Sequence, residues 1–253
     1  MLGIMRLTNS WNWAAFGKHP ALKDYVTLGM PQRVSQGFTE WVQSGYQRAS
    51  PRDSASRGIY SWRFWMKGPR NGFLACGLLR DSSDSLGRPY PLLIIGSGFL
   101  QGWEERWDLL PIACEGSWEQ MESISTRTFP DFKHLKEEVR RIKPPQPQWS
   151  EFFEVQQEFA ATGKSLAGDG SRHSQAVENR IKAIGSGIEI MVPIDEAPGI
   201  PPLAAVQLWH SLWKLHSGDI PRVIFMGGNG IKVFVAFFLQ PLTLEDFGRL
   251  WSA

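Results

Sequence analysis

The chain has 253 residues, 42% of them apolar and 12 of them tryptophan, and its 27 basic and 25 acidic residues leave a formal charge of +2. That length supports one large domain or two small ones with a real core. The charge is balanced and dispersed, which argues against a polyanion-binding face and so against nucleic acid as a partner. Cys76 and Cys114 stand far apart in apolar surroundings and read as buried free thiols of a reducing compartment, not as a metal knuckle or redox pair. Arg6, Asn9, Ser10 and Asn12 interrupt the first apolar residues, and no run approaches the ~18 residues of a membrane span. A cytoplasmic location without membrane insertion is expected.

In chain order, Trp11 to Phe16 read as a strand, followed by a loop from Lys18 to Met30. Pro31 opens a helix whose stripe is Val34, Phe38, Trp41, Val42 and Gly45 or Tyr46, ending before Ser50-Pro51. After a polar loop from Arg52 to Gly58 come three strands, Ile59–Met66, Phe73–Leu79 and Leu92–Gly96. Their connections are too short for crossover helices, so they form an antiparallel meander. Trp103 to Thr128 is predicted helical on both sides of Pro111, and a second helix runs from Phe132 to Ile142 with His134–Arg141 as a solvated face.

Pro144-Pro145-Gln146-Pro147 is the best candidate boundary, separating an N-terminal α+β region (1–143) from a C-terminal one (149–253) across a linker at 144–148. A helix from Ser150 to Thr162 and a Gly-rich loop from Gly163 to Ser174 follow. Beyond them lie a strand (Gly187–Val192), a proline loop (Asp195–Pro202) and a helix (Leu203–His216). The chain closes with a strand (Arg222–Met226), a hairpin turn at Gly227-Gly228-Asn229-Gly230, a strand (Ile231–Leu239) and a helix (Leu244–Trp251). The fold class is α+β: a central, mainly antiparallel sheet flanked by helices in α/β/α-like layers, with the second half able to continue the sheet of the first.

Chemistry is sparse. Gly163-Lys164-Ser165 lacks the first glycine of a phosphate loop, because Glu158 stands there, and no strand precedes it. His210 and His216 are six residues apart, off a common helix face and without further ligands, and read as partner-free surface or core-edge histidines. His19, Asp24, Asp84 and Ser85 could converge if their loops share one sheet end, but no nucleophile elbow surrounds Ser85. Trp11, Trp13, Trp62, Phe64 and Trp65 alternate at strand period, so any member that faces solvent would mark a docking surface.

The stretch from Asp84 to Leu92 carries the most pattern. Gly87 can supply a positive φ, Pro89 and Pro91 stiffen the exit, and Arg88 offers a fork suited to a carboxylate, so that it reads as a structural pin onto Asp84, the nearest candidate, or onto backbone carbonyls. The same fork could instead bind an anion or dock a partner. Upstream stand Phe16-Gly17-Lys18-His19-Pro20 with Asp24-Tyr25-Val26, and Trp62-Arg63-Phe64.

In order and spacing these three motifs resemble the TagF (ImpM) family of type VI secretion-associated proteins, whose patterns are F-G-K-x-P-x-x-x-D-[FY]-V, W-R-F and D-x-x-G-R-x-[FY]-P-L. Three positions depart: His19 where an aliphatic residue is usual, Lys23 where a glycine is usual, and Asp81 where a proline is usual. The resemblance is firm over the first half and weak after it. It implies a non-enzymatic bacterial accessory protein, without cofactor or metal, that represses secretion post-translationally by binding the system's cytoplasmic forkhead-associated scaffold protein. The interaction or loop-organising residues it implies are Lys18, Asp24, Arg63, Asp84, Gly87 and Arg88. A ligand-binding or hydrolase domain using the loops around Asp24 and Asp84–Arg88, and a structural part of the secretion assembly, are the alternatives.

Overall fold

The computed structural model describes residues 11–29, 33–49, 58–166, 189–194, 201–217 and 219–253. The expectations placed on Pro31, Arg52, residues 167–174 and Asp195 fall outside them. In chain order the first half contains β1 (Asn12–Gly17), β2 (Val26–Leu28), α1 (Arg33–Ala49), β3 (Ser61–Lys67), β4 (Phe73–Arg80) and β5 (Leu92–Phe99). A 3-10 turn (Glu104–Leu109) leads into α2 (Leu110–Thr126), α3 (Phe132–Arg140) and α4 (Trp149–Leu166). The rest is β6 (Glu189–Pro193), α5 (Pro202–Ser217), β7 (Val223–Gly228), β8 (Val233–Phe238) and α6 (Leu244–Leu250).

All eight strands join one sheet in the order β2-β1-β5-β4-β3-β7-β8-β6. Each described pairing is antiparallel, as the short connections require within the β3-β4-β5 meander. Strands from either side of the proline segment meet at the sheet's centre, where Trp62 pairs with Gly227 and Phe64 with Phe225. The fold is therefore α+β, as expected.

The central strands are apolar at nearly every position because both faces are covered. On one face Trp65, Leu74, Cys76, Leu78, Leu92, Ile94, Ile224 and Phe237 pack with Trp103, Trp107, Cys114, Trp118 and Trp209 from the helical layer that includes α2 and α5. On the other, Trp62, Phe64, Leu79, Leu93, Ile95, Phe225 and Phe238 meet Phe38, Trp41 and Val42 of α1 and Phe247 and Leu250 of α6. Strand period two thus sends alternate residues into two separate cores. Trp62, Phe64 and Trp65 are fully buried and mark no outer surface, while Trp11 and Trp13 lie half-buried, stacked 5.8 Å apart. Both cysteines are free and buried.

Several boundaries differ from the sequence reading. Val26–Leu28 pairs with β1, a three-residue strand too short to show a period inside the predicted loop. The expected helix from Trp103 breaks before Pro111, not around it: Arg106 leaves helical geometry, and Pro111 sits in the first turn of α2, where its missing N–H costs nothing. Gly163-Lys164-Ser165, expected in a loop, falls within α4. The β7–β8 turn occupies Asn229 to Lys232, so β8 begins at Val233. There Gly230 takes φ +81° and Asn229 Oδ1 accepts from the N–H groups of Ile231 (3.1 Å) and Lys232 (3.0 Å), an Asx turn.

Candidate functional site

Antiparallel order gathers the β1–β2 loop, the β4–β5 loop, the residues entering β3 and the β7–β8 hairpin at one end of the sheet. The β4–β5 connection continues its ladder through a bridge between Ser83 and Pro89 and closes in a turn, Gly87 N–H donating to Asp84 O at 2.9 Å. Asp begins such turns well because its side chain accepts from backbone ahead of it, and Gly87 takes φ +76°, which other residues resist.

Asp84 is the hub. Its Oδ1 accepts from Leu86 N (3.0 Å) and Arg88 N (2.9 Å), and its Oδ2 from Arg88 Nε (2.6 Å) and Lys18 Nζ (3.1 Å). The carboxylate is fully covered, while the Lys18 side chain is 9% exposed and also donates to Arg88 O at 3.2 Å. Burial alone would raise the Asp84 pKa; the N–H of Arg88, the Lys18 ammonium, the Arg88 guanidinium and the N–H of Leu86 together hold it well below the usual carboxylate range. Arg88 Nη2 then donates to Lys23 O at 2.5 Å and stands 3.9 Å from Asp24 Oδ1, and Ser85 N–H donates to Leu22 O at 2.8 Å. The two loops are one unit. Lys18, Asp24, Asp84, Gly87 and Arg88 are all brought together.

Arg63 is not. Strand alternation points it at α2, where its Nε and Nη2 donate to Glu122 Oε1 (2.7 Å) and Oε2 (2.9 Å) and its Nη1 donates to Glu115 Oε2 (2.7 Å). Burial lowers its pKa, but both carboxylates overcome this and leave it raised. The W-R-F motif therefore fastens the sheet to a helix and does not build the loop end.

Two sets of contacts are not readable from the sequence, which presents His19 only as a residue able to converge with Asp24, Asp84 and Ser85. His19 is fully buried: its Nε2–H donates to Ile124 O at 2.8 Å and its Nδ1 accepts from Ala21 N–H at 3.2 Å. Burial lowers its pKa, outweighing the bond to Ile124, so it is a neutral tether between the first loop and the end of α2. Beside the loops, Tyr25 meets Tyr90 (4.9 Å between rings), and Tyr46 of α1 also meets Tyr90 (5.0 Å). Burial, then the neighbouring phenols of Tyr25 and Tyr46, push Tyr90 up to about 12. The aromatic positions of two motifs touch, a pairing that only the sheet topology discloses. His210 also differs from expectation: it is buried, its Nδ1–H donating to Val206 O at 2.8 Å and its Nε2 accepting from Trp65 Nε1 at 3.1 Å, whereas His216 is exposed and its Nδ1 bonds Leu212 O.

A model of the protein family described as "TagF N-terminal domain, Type VI secretion system-associated" matches residues 14–142, just over half of the chain and inclusive of every residue of the loop cluster. The chain belongs to the TagF family. It is thus a type VI secretion system-associated protein. No curated protein matches this TagF chain. Among solved structures, the crystal structure of PA0076 from Pseudomonas aeruginosa PAO1 superposes with a TM-score of 0.52 over 94% of this chain and 93% of that one, at 17% identity, a likeness of fold. Among the described residues, no helix of this TagF chain is long and apolar enough to cross a membrane, and no group of three or more His, Cys, Asp or Glu is placed to hold a metal.

Proposed function

We propose that this TagF-family chain is a non-enzymatic, cytoplasmic accessory protein that represses type VI secretion post-translationally by binding the system's forkhead-associated scaffold protein through the joined loops. The observation that carries the reading is the state of Asp84: four donors saturate it, and it is covered. A general acid or base needs a free position and a pKa near working pH, and Asp84 has neither. His19, on the same loop as Lys18, uses both ring nitrogens on backbone groups. These groups spend their chemistry on holding shape, which favours docking over hydrolysis. Preorganisation lowers the ordering cost of association, and a scaffold arrangement that fits the loops better than its competitors is favoured by that difference in affinity.

Replacing Arg88, whose side chain is 55% exposed, with Ala leaves Lys18 on Asp84 and should change Tm little. Binding to the purified scaffold should weaken about tenfold. Undiminished binding, or turnover of a small molecule that disappears in this variant, would overturn the reading.

A further inference from the structure

We infer that the docking surface spans the width of the sheet end, from the β1–β2 loop to the β7–β8 hairpin, and that it takes an acidic protein segment bearing apolar side chains. This deepens the docking reading and rests on it. The four loops are joined edge to edge. Leu22 is bonded to Ser85 through the backbone, Asp81 N–H donates to Tyr60 O at 2.8 Å, and Gly58 lies so close to Asn229 that a Cβ on it would stand 2.4 Å from that residue's carbonyl oxygen. Along this edge four large apolar side chains point outward: Tyr25 (53% exposed), Leu86 (63%), Ile59 (62%) and Ile231 (81%). One exposed apolar residue means nothing, but four spread along a continuous rigid edge do. From β2 to β8 the edge crosses six strand spacings, roughly 29 Å at about 4.8 Å each, the breadth of an ordinary protein interface.

Charge selects the partner. On these described loops the exposed cations are Lys23, Arg88 and Lys232, and the exposed carboxylate is Asp24. Asp84 is buried under Lys18 and Arg88, and Asp81 accepts from Tyr60 N–H and Trp251 Nε1. The edge is therefore net positive between its apolar side chains and complements a segment of carboxylates and apolar anchors. An anionic membrane is the weaker fit, since the loops are locked by backbone bonds that oppose insertion of their apolar side chains.

The test uses the full chain and three variants: Ile231→Asp at the far end of the edge, Arg88→Ala at the near end, and Leu215→Asp on the exposed side of α5 as control. Against purified scaffold, Ile231→Asp should weaken binding about tenfold with Tm unchanged, while Leu215→Asp leaves it intact. If Arg88→Ala weakens binding and Ile231→Asp does not, the wide surface is overturned while the docking reading stands. If the wild type fails to bind the scaffold, that reading falls, and the surface is judged by panning random peptides displayed on phage. Enrichment of peptides combining Asp or Glu with Leu, Ile or aromatic residues, lost with Ile231→Asp, upholds it. No enrichment, or enrichment that Ile231→Asp leaves intact, overturns it. Co-sedimentation with phosphatidylserine vesicles that Ile231→Asp abolishes would overturn the protein-segment assignment.

Discussion

Lys18 Nζ lies 3.1 Å from Asp84 Oδ2, joining two loops that are 66 positions apart in sequence and leaving neither charge to solvent. Truncating one member of a covered pair costs more than the pair contributes, because the survivor stays buried without its partner. Asp84→Ala should therefore lower Tm and release the turn, with the amides of Leu86 and Arg88 exchanging at least about tenfold faster. The depressed Asp84 pKa fixes the sign with pH. Its stabilisation is complete above the unfolded carboxylate pKa of about 4 and is lost as pH falls through the lower folded value. Unchanged exchange in Asp84→Ala would show that the turn holds without its hub.

His210 sets a second, milder pH window. Burial among Trp65, Trp107 and Phe237 outweighs its bond to Val206 O and brings its pKa down to about 4, from an unfolded value near 6.5. Between those values the unfolded chain binds a proton that the folded chain refuses. Stability is therefore full above about pH 6.5 and declines as pH falls towards 4, by about 3 kcal/mol at most. His19, depressed for the same reason, adds to the slope in the same direction. Thermal unfolding between pH 7 and 4 should show the decline, and His210→Gln should flatten it. An equal slope in wild type and variant would remove His210 as its source.

The legible parts of the fold were those with a strong local period or a turn demanded by chemistry. Leu92–Ile95 and Phe73–Leu79 declare themselves by apolar continuity, and Asn229-Gly230 by its need for positive φ. The pairing of Arg88 with Asp84 was readable as one of several options, since a guanidinium four residues from an Asp in a tight turn can fold back onto it, and the structure adds the backbone carbonyl of Lys23 as a second acceptor. What sequence could not supply was the partner across the fold. Trp-Arg-Phe fixes a strand, but nothing local says that Arg63 faces Glu115 and Glu122 of α2. Nor can a histidine reveal its burial when, as with His19 and His210, both partners of its ring are supplied by distant elements or by the backbone. The aromatic contact of Tyr25 and Tyr90 depends in the same way on β1 lying beside β5.

Two glycines of α1 should respond oppositely to one methyl group. A Cβ at Gly45 would lie 2.4 Å from Cγ of the Phe247 ring, which is itself stacked on Trp251 at 4.3 Å, so the ring has little room to retreat. Gly45→Ala should cost about 1–3 kcal/mol by overpacking the α1–α6 contact. Gly37 faces open space in the same helix, and Gly37→Ala should gain about 0.5–1 kcal/mol from backbone entropy alone. Urea unfolding of both variants decides it, and a stabilising Gly45→Ala would mean that α6 is not packed this closely.

Arg63 separates fold from docking. Its fork engages Glu122 through two nitrogens and Glu115 through a third, a geometry that a single ammonium cannot reproduce. Arg63→Lys should therefore lower stability by about 1–2 kcal/mol, the partial exposure of Glu122 keeping the loss modest. The affinity for the scaffold should not change, because the guanidinium lies under α2 and not at the loop edge. Calorimetric unfolding alongside a binding titration separates the two effects. A loss of affinity without loss of stability would return Arg63 to the interaction surface and place the docking site on the helical face beside α2.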